Sequence, residues 1–203
     1  MKKAELKKWQ TTASKYIVND RWLKLRADTC VTPDGHTLDP WYVMEYPGWV
    51  GCLAVDENSD VIMLRHYRHG IDDFVLEIIG GNMDPGDTSP KVSTQRELAE
   101  EIGYEGGELY QTGTSFANPS NQNNRLYSFL AVGGNCTAKR MDEPGADFIV
   151  EKVPFAEFVK TITNPNNTET YQSLQLASIF FSLNFIRSTP NPTPEIVKLR
   201  RQL

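Results

Sequence analysis

The chain has 203 residues, 39% of them hydrophobic and 23% charged, an ordinary balance for one globular domain with at most a small appendage. Its formal net charge of -5, without a basic arm, gives no electrostatic reason to expect nucleic-acid binding. An anionic ligand would therefore need local cations, and a divalent metal is the strongest one available.

Residues 1–14 are polar and lysine-rich, without the apolar run of a signal peptide. Short strand-like runs follow at 15–18, 22–27 and 41–45, separated by turn residues of which Pro33-Asp34-Gly35 are the clearest. They predict a small β-rich part over residues 1–46. Runs 51–55 and 61–67 flank a turn-rich stretch and predict a hairpin, and 74–79 reads as one further strand. Gly80-Gly81 then open a loop. Ser89 can cap a helix, Pro90 suits its first position, and Gly103 stands where a left-handed C-terminal cap is expected, so the helix should run to Ile102.

Beyond that helix, strands are expected at 107–113, 125–132 and 148–153, a short helix after Pro154, and a longer one over about 168–186. Residues 188–203, opened by prolines, read as a tail. The longest apolar stretch, 177–186, is interrupted by Ser182 and Asn184 and is too short to span a bilayer. Cys30, Cys52 and Cys136 are far apart, match no zinc spacing and read as inert thiols. These features together point to a cytoplasmic protein without membrane contact.

The segment that carries chemistry is Arg96-Glu97-Leu98-Ala99-Glu100-Glu101-Ile102-Gly103. Helical spacing puts Glu97, Glu100 and Glu101 on one face. Taken alone, such a face is usually just solvated acid. Here an apolar strand and a Gly-Gly loop precede it, and glycines let backbone approach a ligand closely. Carboxylates clustered on a rigid helix suit Mg²⁺ or Mn²⁺, which prefer oxygen ligands.

This segment resembles the Nudix box. Gly81 matches its first glycine, and Arg96, Glu97, Leu98, Glu100, Glu101 and Gly103 match its second half. Asp87 stands where the first Glu belongs, eight residues rather than seven separate it from Arg96, and Tyr104 replaces the final aliphatic residue. The resemblance extends over about residues 15–185. Asp34-Gly35, Arg65-His66-Tyr67-Arg68-His69, Glu77, and Ser115-Phe116-Ala117-Asn118-Pro119 are similar to the ADP-ribose pyrophosphatase branch of the family.

The resemblance implies an α+β fold, a Nudix α/β/α sandwich with a mixed sheet over 47–187, plus the β-rich part. It implies metal-dependent hydrolysis of a nucleoside diphosphate sugar, ADP-ribose first, with Mg²⁺ or Mn²⁺ as cofactor. Gly80 (through its carbonyl), Glu97, Glu100 and Glu101 would hold the metal, and Arg96 would orient the carboxylates. Glu143, in an acidic loop, is the first choice for the general base. Arg68, Glu77, Phe116, Pro119, Trp22 and Trp41 are the expected substrate contacts. For Glu77 the plainer alternative is an ion pair with an arginine. A homodimer, with the N-terminal strands packed across it, is the family's habit. A nucleoside triphosphate pyrophosphatase and a non-catalytic nucleotide-sugar sensor are the alternatives.

Overall fold

The computed structural model describes residues 6–137, 148–167, 169 and 171–203. The chain forms two compact units, Met1–Pro47 with Phe116–Arg125, and Gly48–Ser115 with Leu126–Leu203.

The first unit is an antiparallel sheet of β1 (Gln10–Asn19), β2 (Lys24–Val31) and β3 (Thr37–Glu45), in that order. Its strands are longer than the apolar runs suggest because β1 is exposed along nearly its whole length and shows no alternation to read. Ala27 and Cys30 are buried, and so is Asp28, whose carboxylate accepts from Arg26 Nε at 2.8 Å and from Ser14 Oγ at 2.7 Å. The stretch 116–125 belongs to the same unit. Met44 N–H donates to the Asn121 carbonyl at 2.8 Å, and Tyr46 N–H to Asn123 Oδ1 at 3.2 Å.

The second unit is built on an eight-stranded sheet. Its backbone order is β11 (Phe148–Pro154), β5 (Asp60–Arg68), β4 (Trp49–Asp56), β10 (Arg125–Cys136) and β8 (Tyr104–Glu105). To these are added β6 (Asp73–Glu77) beside β5, β7 (Ile79–Asn82) beside β4, and β9 (Glu108–Phe116) beside β10. The sheet is mixed: β10 runs parallel to β4, and β5 antiparallel to it.

Alternate residues of the central strands serve opposite cores, because successive side chains point to opposite faces. Leu53, Val55, Val61, Met63, Leu130 and Val132 meet Phe155 and Phe158 of α2 (Phe155–Ile162) and Ile179, Leu183 and Ile186 of α3 (Ser173–Ser188). Val50, Cys52, Ala54, Ile62, Leu64, Phe129 and Ala131 meet Leu98 and Ile102 of α1 (Pro90–Ile102). With both faces covered, the strands read as continuous apolar runs, and the result is the expected α/β/α sandwich.

Residues 188–203, read from the sequence as a tail, end in α4 (Pro194–Arg200), whose Ile196 and Leu199 are buried in the α2–α3 core. Arg200 holds it there, donating from Nε to the Ile186 carbonyl at 2.7 Å. All three cysteines are buried and unpaired. No helix among the described residues is long and apolar enough to cross a membrane.

Local signals set α1. Ser89 Oγ accepts from Val92 N–H at 3.3 Å, Pro90 fills the first position, and Gly103, at φ 56°, ends the helix in the left-handed region. Tyr104, the departure from the usual aliphatic residue, then makes two buried hydrogen bonds. Its hydroxyl donates to the Val55 carbonyl at 2.9 Å and accepts from Gly134 N–H at 2.8 Å, tying the ends of β4 and β10. Tyr104→Phe removes both buried hydrogen bonds, and should cost about 1–3 kcal/mol. Urea unfolding should show a lower midpoint with an unchanged slope. An unchanged midpoint would show that the hydroxyl does not stabilise the fold.

Candidate active site

Helix α1 is anchored through Leu98 and Ile102, which leaves Glu97, Glu100 and Glu101 toward the strand pair β7–β4 and the loop after it. The Gly80-Gly81 pair of β7 makes this approach possible. A Cβ on Gly81 would lie 2.5 Å from Glu97 Oε1, and one on Gly80 would lie 2.3 Å from the Val50 carbonyl oxygen. A side chain at Gly80 would have to move the backbone of β4, and one at Gly81 would displace the Glu97 carboxylate. Gly80 N–H also donates to Glu101 Oε2 at 3.3 Å.

One guanidinium sits among the acids. Arg96 Nη1 meets Glu100 Oε2 at 2.9 Å, and Nη2 meets Glu97 Oε1 at 2.9 Å and Asp87 Oδ2 at 3.3 Å. Nη2 also donates to the Asn82 carbonyl at 3.1 Å, and Nε lies 3.6 Å from Asp84. Arg96 thus contacts carboxylates from both the helix and the loop. Asp87 reaches it despite the shorter side chain and the altered spacing.

Burial works against the charge on Glu97 and Glu101. It raises the Glu97 carboxyl above its ordinary range, with Arg96 opposing. Glu101 is pushed up to about 8, by burial first and the neighbouring charge of Glu97 second. Burial alone would lower Arg96, but Glu97, Asp87 and Glu100 more than offset this, and it titrates above the usual arginine value.

A second pair lies close by. Glu77, at the end of β6, is buried and accepts from Arg68 Nε at 2.7 Å, so the ion-pair alternative is present in the structure. His66 Nδ1 lies 3.6 Å from the same carboxylate. Glu77 and Arg68 both act on the Glu101 proton, the first raising and the second lowering its pKa. They border a cleft of about 390 Å³ that Ile71, Val75, Tyr171 and Gln172 also line. Sequence reading missed Tyr171 and Gln172. Both precede α3 in a polar stretch with no motif, and only the fold brings them to Arg68.

Among the described residues, no three His, Cys, Asp or Glu side chains converge as a ready-made ion cage. Arg96 and the Gly80 N–H hold the carboxylates instead. The donor set nevertheless fits a hard divalent cation. It is all oxygen, set against glycine backbone, and burial raises its affinity for positive charge. Glu143 lies outside the described residues.

The remaining candidates are in the first unit. Arg125 stacks over Phe116, its guanidinium carbon 5.0 Å from the ring centroid, and Pro119 sits in the loop between β9 and β10. Trp41 packs edge-on against Trp9 at 5.2 Å, and Trp22 is 77% exposed beneath Arg21.

Comparisons with known proteins agree on the family. A family model described as the NUDIX domain matches residues 46–174, and one described as the nucleoside diphosphate sugar hydrolase N-terminal domain matches residues 9–44. The chain is 26% identical to the methanol dehydrogenase activator of Bacillus methanolicus over 68% of its own length and 72% of that protein's. It is 28% identical to an ADP-ribose pyrophosphatase of Bacillus subtilis, over 60% of this chain and 65% of the other. A solved structure of an ADP compounds hydrolase superposes at a TM-score of 0.74 with 18% identity, covering 90% of this chain and 96% of that one. At that identity the likeness speaks for the fold alone.

Glu101 gives the site a pH signature. Its folded-state pKa of about 8 lies above the ordinary 4.5, so the fold holds a proton that the unfolded chain releases. That contribution is complete below about 4.5 and is lost as pH rises toward about 8. In metal-free buffer, the wild-type stability should therefore fall across this window relative to Glu101→Gln, with a slope approaching ~1.4 kcal/mol per pH unit. Urea midpoints measured at several pH values check this. Parallel profiles would mean that Glu101 is ionised throughout.

Proposed function

Because this chain belongs to the NUDIX family, we propose that it is a pyrophosphohydrolase that cleaves the diphosphate of a nucleoside diphosphate sugar, ADP-ribose first. The observation that carries the substrate class is the union in one chain of a NUDIX domain with the N-terminal domain described for nucleoside diphosphate sugar hydrolases. Water adds to one phosphorus, the bridging P–O bond breaks, and a nucleoside monophosphate and a sugar phosphate leave.

Glu97, Glu100 and Glu101, with the Gly80 carbonyl, would hold Mg²⁺ or Mn²⁺, which would supply positive charge against the diphosphate oxygens and make water more acidic. The chain's own groups do the rest. Arg96 keeps the acids together and oriented. Arg68, 46% exposed on the cleft side of its pair with Glu77, is available to a substrate phosphate. Glu77 holds Arg68 in place from beneath. Glu143 takes the proton of the attacking water. Phe116, Pro119, Trp22 and Trp41 serve the nucleoside side, where aromatic faces suit a base.

The same reading includes a homodimer in the cytoplasm. The exposed Tyr16, Ile17, Trp22, Trp41 and Tyr42 on a three-stranded sheet support it, because a sheet so little buried needs a partner.

With Mg²⁺, kcat/KM for ADP-ribose should exceed that for ATP by about a hundredfold or more. Glu101→Gln should lower kcat by about a thousandfold while the circular dichroism spectrum stays unchanged. Light scattering should return twice the 23.0 kDa chain mass. Comparable use of ATP would replace the substrate reading with the triphosphate one. Near wild-type turnover by Glu101→Gln would remove the metal assignment.

A further inference from the structure

Between Glu77 and Ile79 the chain changes neighbours. Glu77 pairs with Leu64 of β5, whereas Ile79 pairs with Cys52 of β4. Ile78 lies in neither strand, and at 1% exposure it is beyond the reach of water. A buried N–H left without an acceptor there would be costly. The acceptor comes from α3. Gln175 Oε1 takes the Ile78 N–H at 2.8 Å, and Gln175 is itself only 1% exposed.

The place of this hydrogen bond is what matters. One residue before it stands Glu77, paired with Arg68. Two residues after it stands Gly80, whose N–H donates to Glu101, and then Gly81, against which the Glu97 carboxylate rests. In extended backbone a shift of one residue turns every side chain and amide to the other face. Holding Ile78 therefore sets the aim of the acid on one side and of the glycine pair on the other.

We propose that Gln175 is a positioning residue: by accepting the Ile78 N–H at the strand transfer, it fixes the backbone that Glu101 and Glu97 rest on, and with it the affinity of those acids for a divalent cation. This rests on the hydrolase reading for its consequence in turnover, but not for its consequence in metal binding. Gln175 touches no reacting atom. Its effect passes through Ile78 to Gly80 and Gly81.

Two substitutions separate this role from packing. Gln175→Met keeps the volume and loses the acceptor, and Gln175→Glu keeps a side-chain oxygen in the same place. Ile78 amide exchange in metal-free protein, Mn²⁺ binding followed by electron paramagnetic resonance, and ADP-ribose kinetics are measured on each. In Gln175→Met, exchange at Ile78 should quicken, Mn²⁺ affinity and kcat should each fall about tenfold, and KM should stay within about twofold. Gln175→Glu should restore Mn²⁺ affinity to within about threefold of wild type.

Wild-type Mn²⁺ binding by Gln175→Met would overturn the proposal. So would equal losses in both variants that simply follow their melting temperatures. Should Gln175→Met not fold, Gln175→Asn, which withdraws the oxygen by one methylene, is read by the same criteria. A wild type that binds Mn²⁺ yet leaves ADP-ribose intact would sink the substrate reading, while the exchange and Mn²⁺ results still decide the role of Gln175.

Discussion

Four carboxylates gathered around one guanidinium are the constraint on which the rest of this molecule turns. Asp84, Asp87, Glu97 and Glu100 all lie within salt-bridge distance of Arg96. Two like charges about 4 Å apart repel by roughly 4 kcal/mol at the effective dielectric of a protein surface. Such a cluster persists only if a cation holds it and rigid backbone prevents its escape. A lysine could not replace Arg96, because separate nitrogens of a fixed planar fork are engaged at the same time, one with Glu100 and another with Glu97, Asp87 and the Asn82 carbonyl. The altered spacing of the motif is tolerable for the same reason. What has to be conserved physically is a carboxylate at Arg96, and a shorter acid on a loop one residue longer delivers it.

The rigid backbone comes from the sandwich. Its central strands β4, β5 and β10 are buried on both faces, so they cannot tilt without disturbing two cores at once. From that sheet β7 presents two glycines, and α1, pinned by Leu98 and Ile102, presents the acids. Distances between carboxylate and backbone are thus set by packing far from either group. This is what a site needs in order to hold its geometry when a charged ligand arrives.

How much of this could be read in the sequence depended on whether the signal was local. Helix α1 was legible to the residue, since Ser89, Pro90 and Gly103 each act within one turn of the helix end. The central strands were legible as apolar runs. Strand β1 was not, because Gln10–Asn19 is exposed almost throughout and owes its conformation to pairing with β2. The run 74–79 looked like one strand because its hydrophobicity is continuous. The break at Ile78 is an exchange of partners, which only the tertiary fold contains. Gln175 carries no local signal of its role for the same reason. Arg68 and Glu77 could both be picked out singly, but their union across the β5–β6 turn is a property of register.

The three helix acids share a face but not an environment, and this difference assigns them different work. Glu100 stands nearest solvent, at 29% side-chain exposure, and is matched by Arg96 four positions before it. Glu97 is further in, at 13%, pressed on Gly81 but still in contact with the same guanidinium. Glu101 is the one least provided for. It accepts from the Gly80 N–H, only a partial charge, and Glu97 and Glu77 both repel it, with Arg68 opposing. A carboxylate so placed holds a proton until something more strongly positive replaces it. On the hydrolase reading proposed above, Glu101 is therefore the acid of the three that would gain most from a divalent ion.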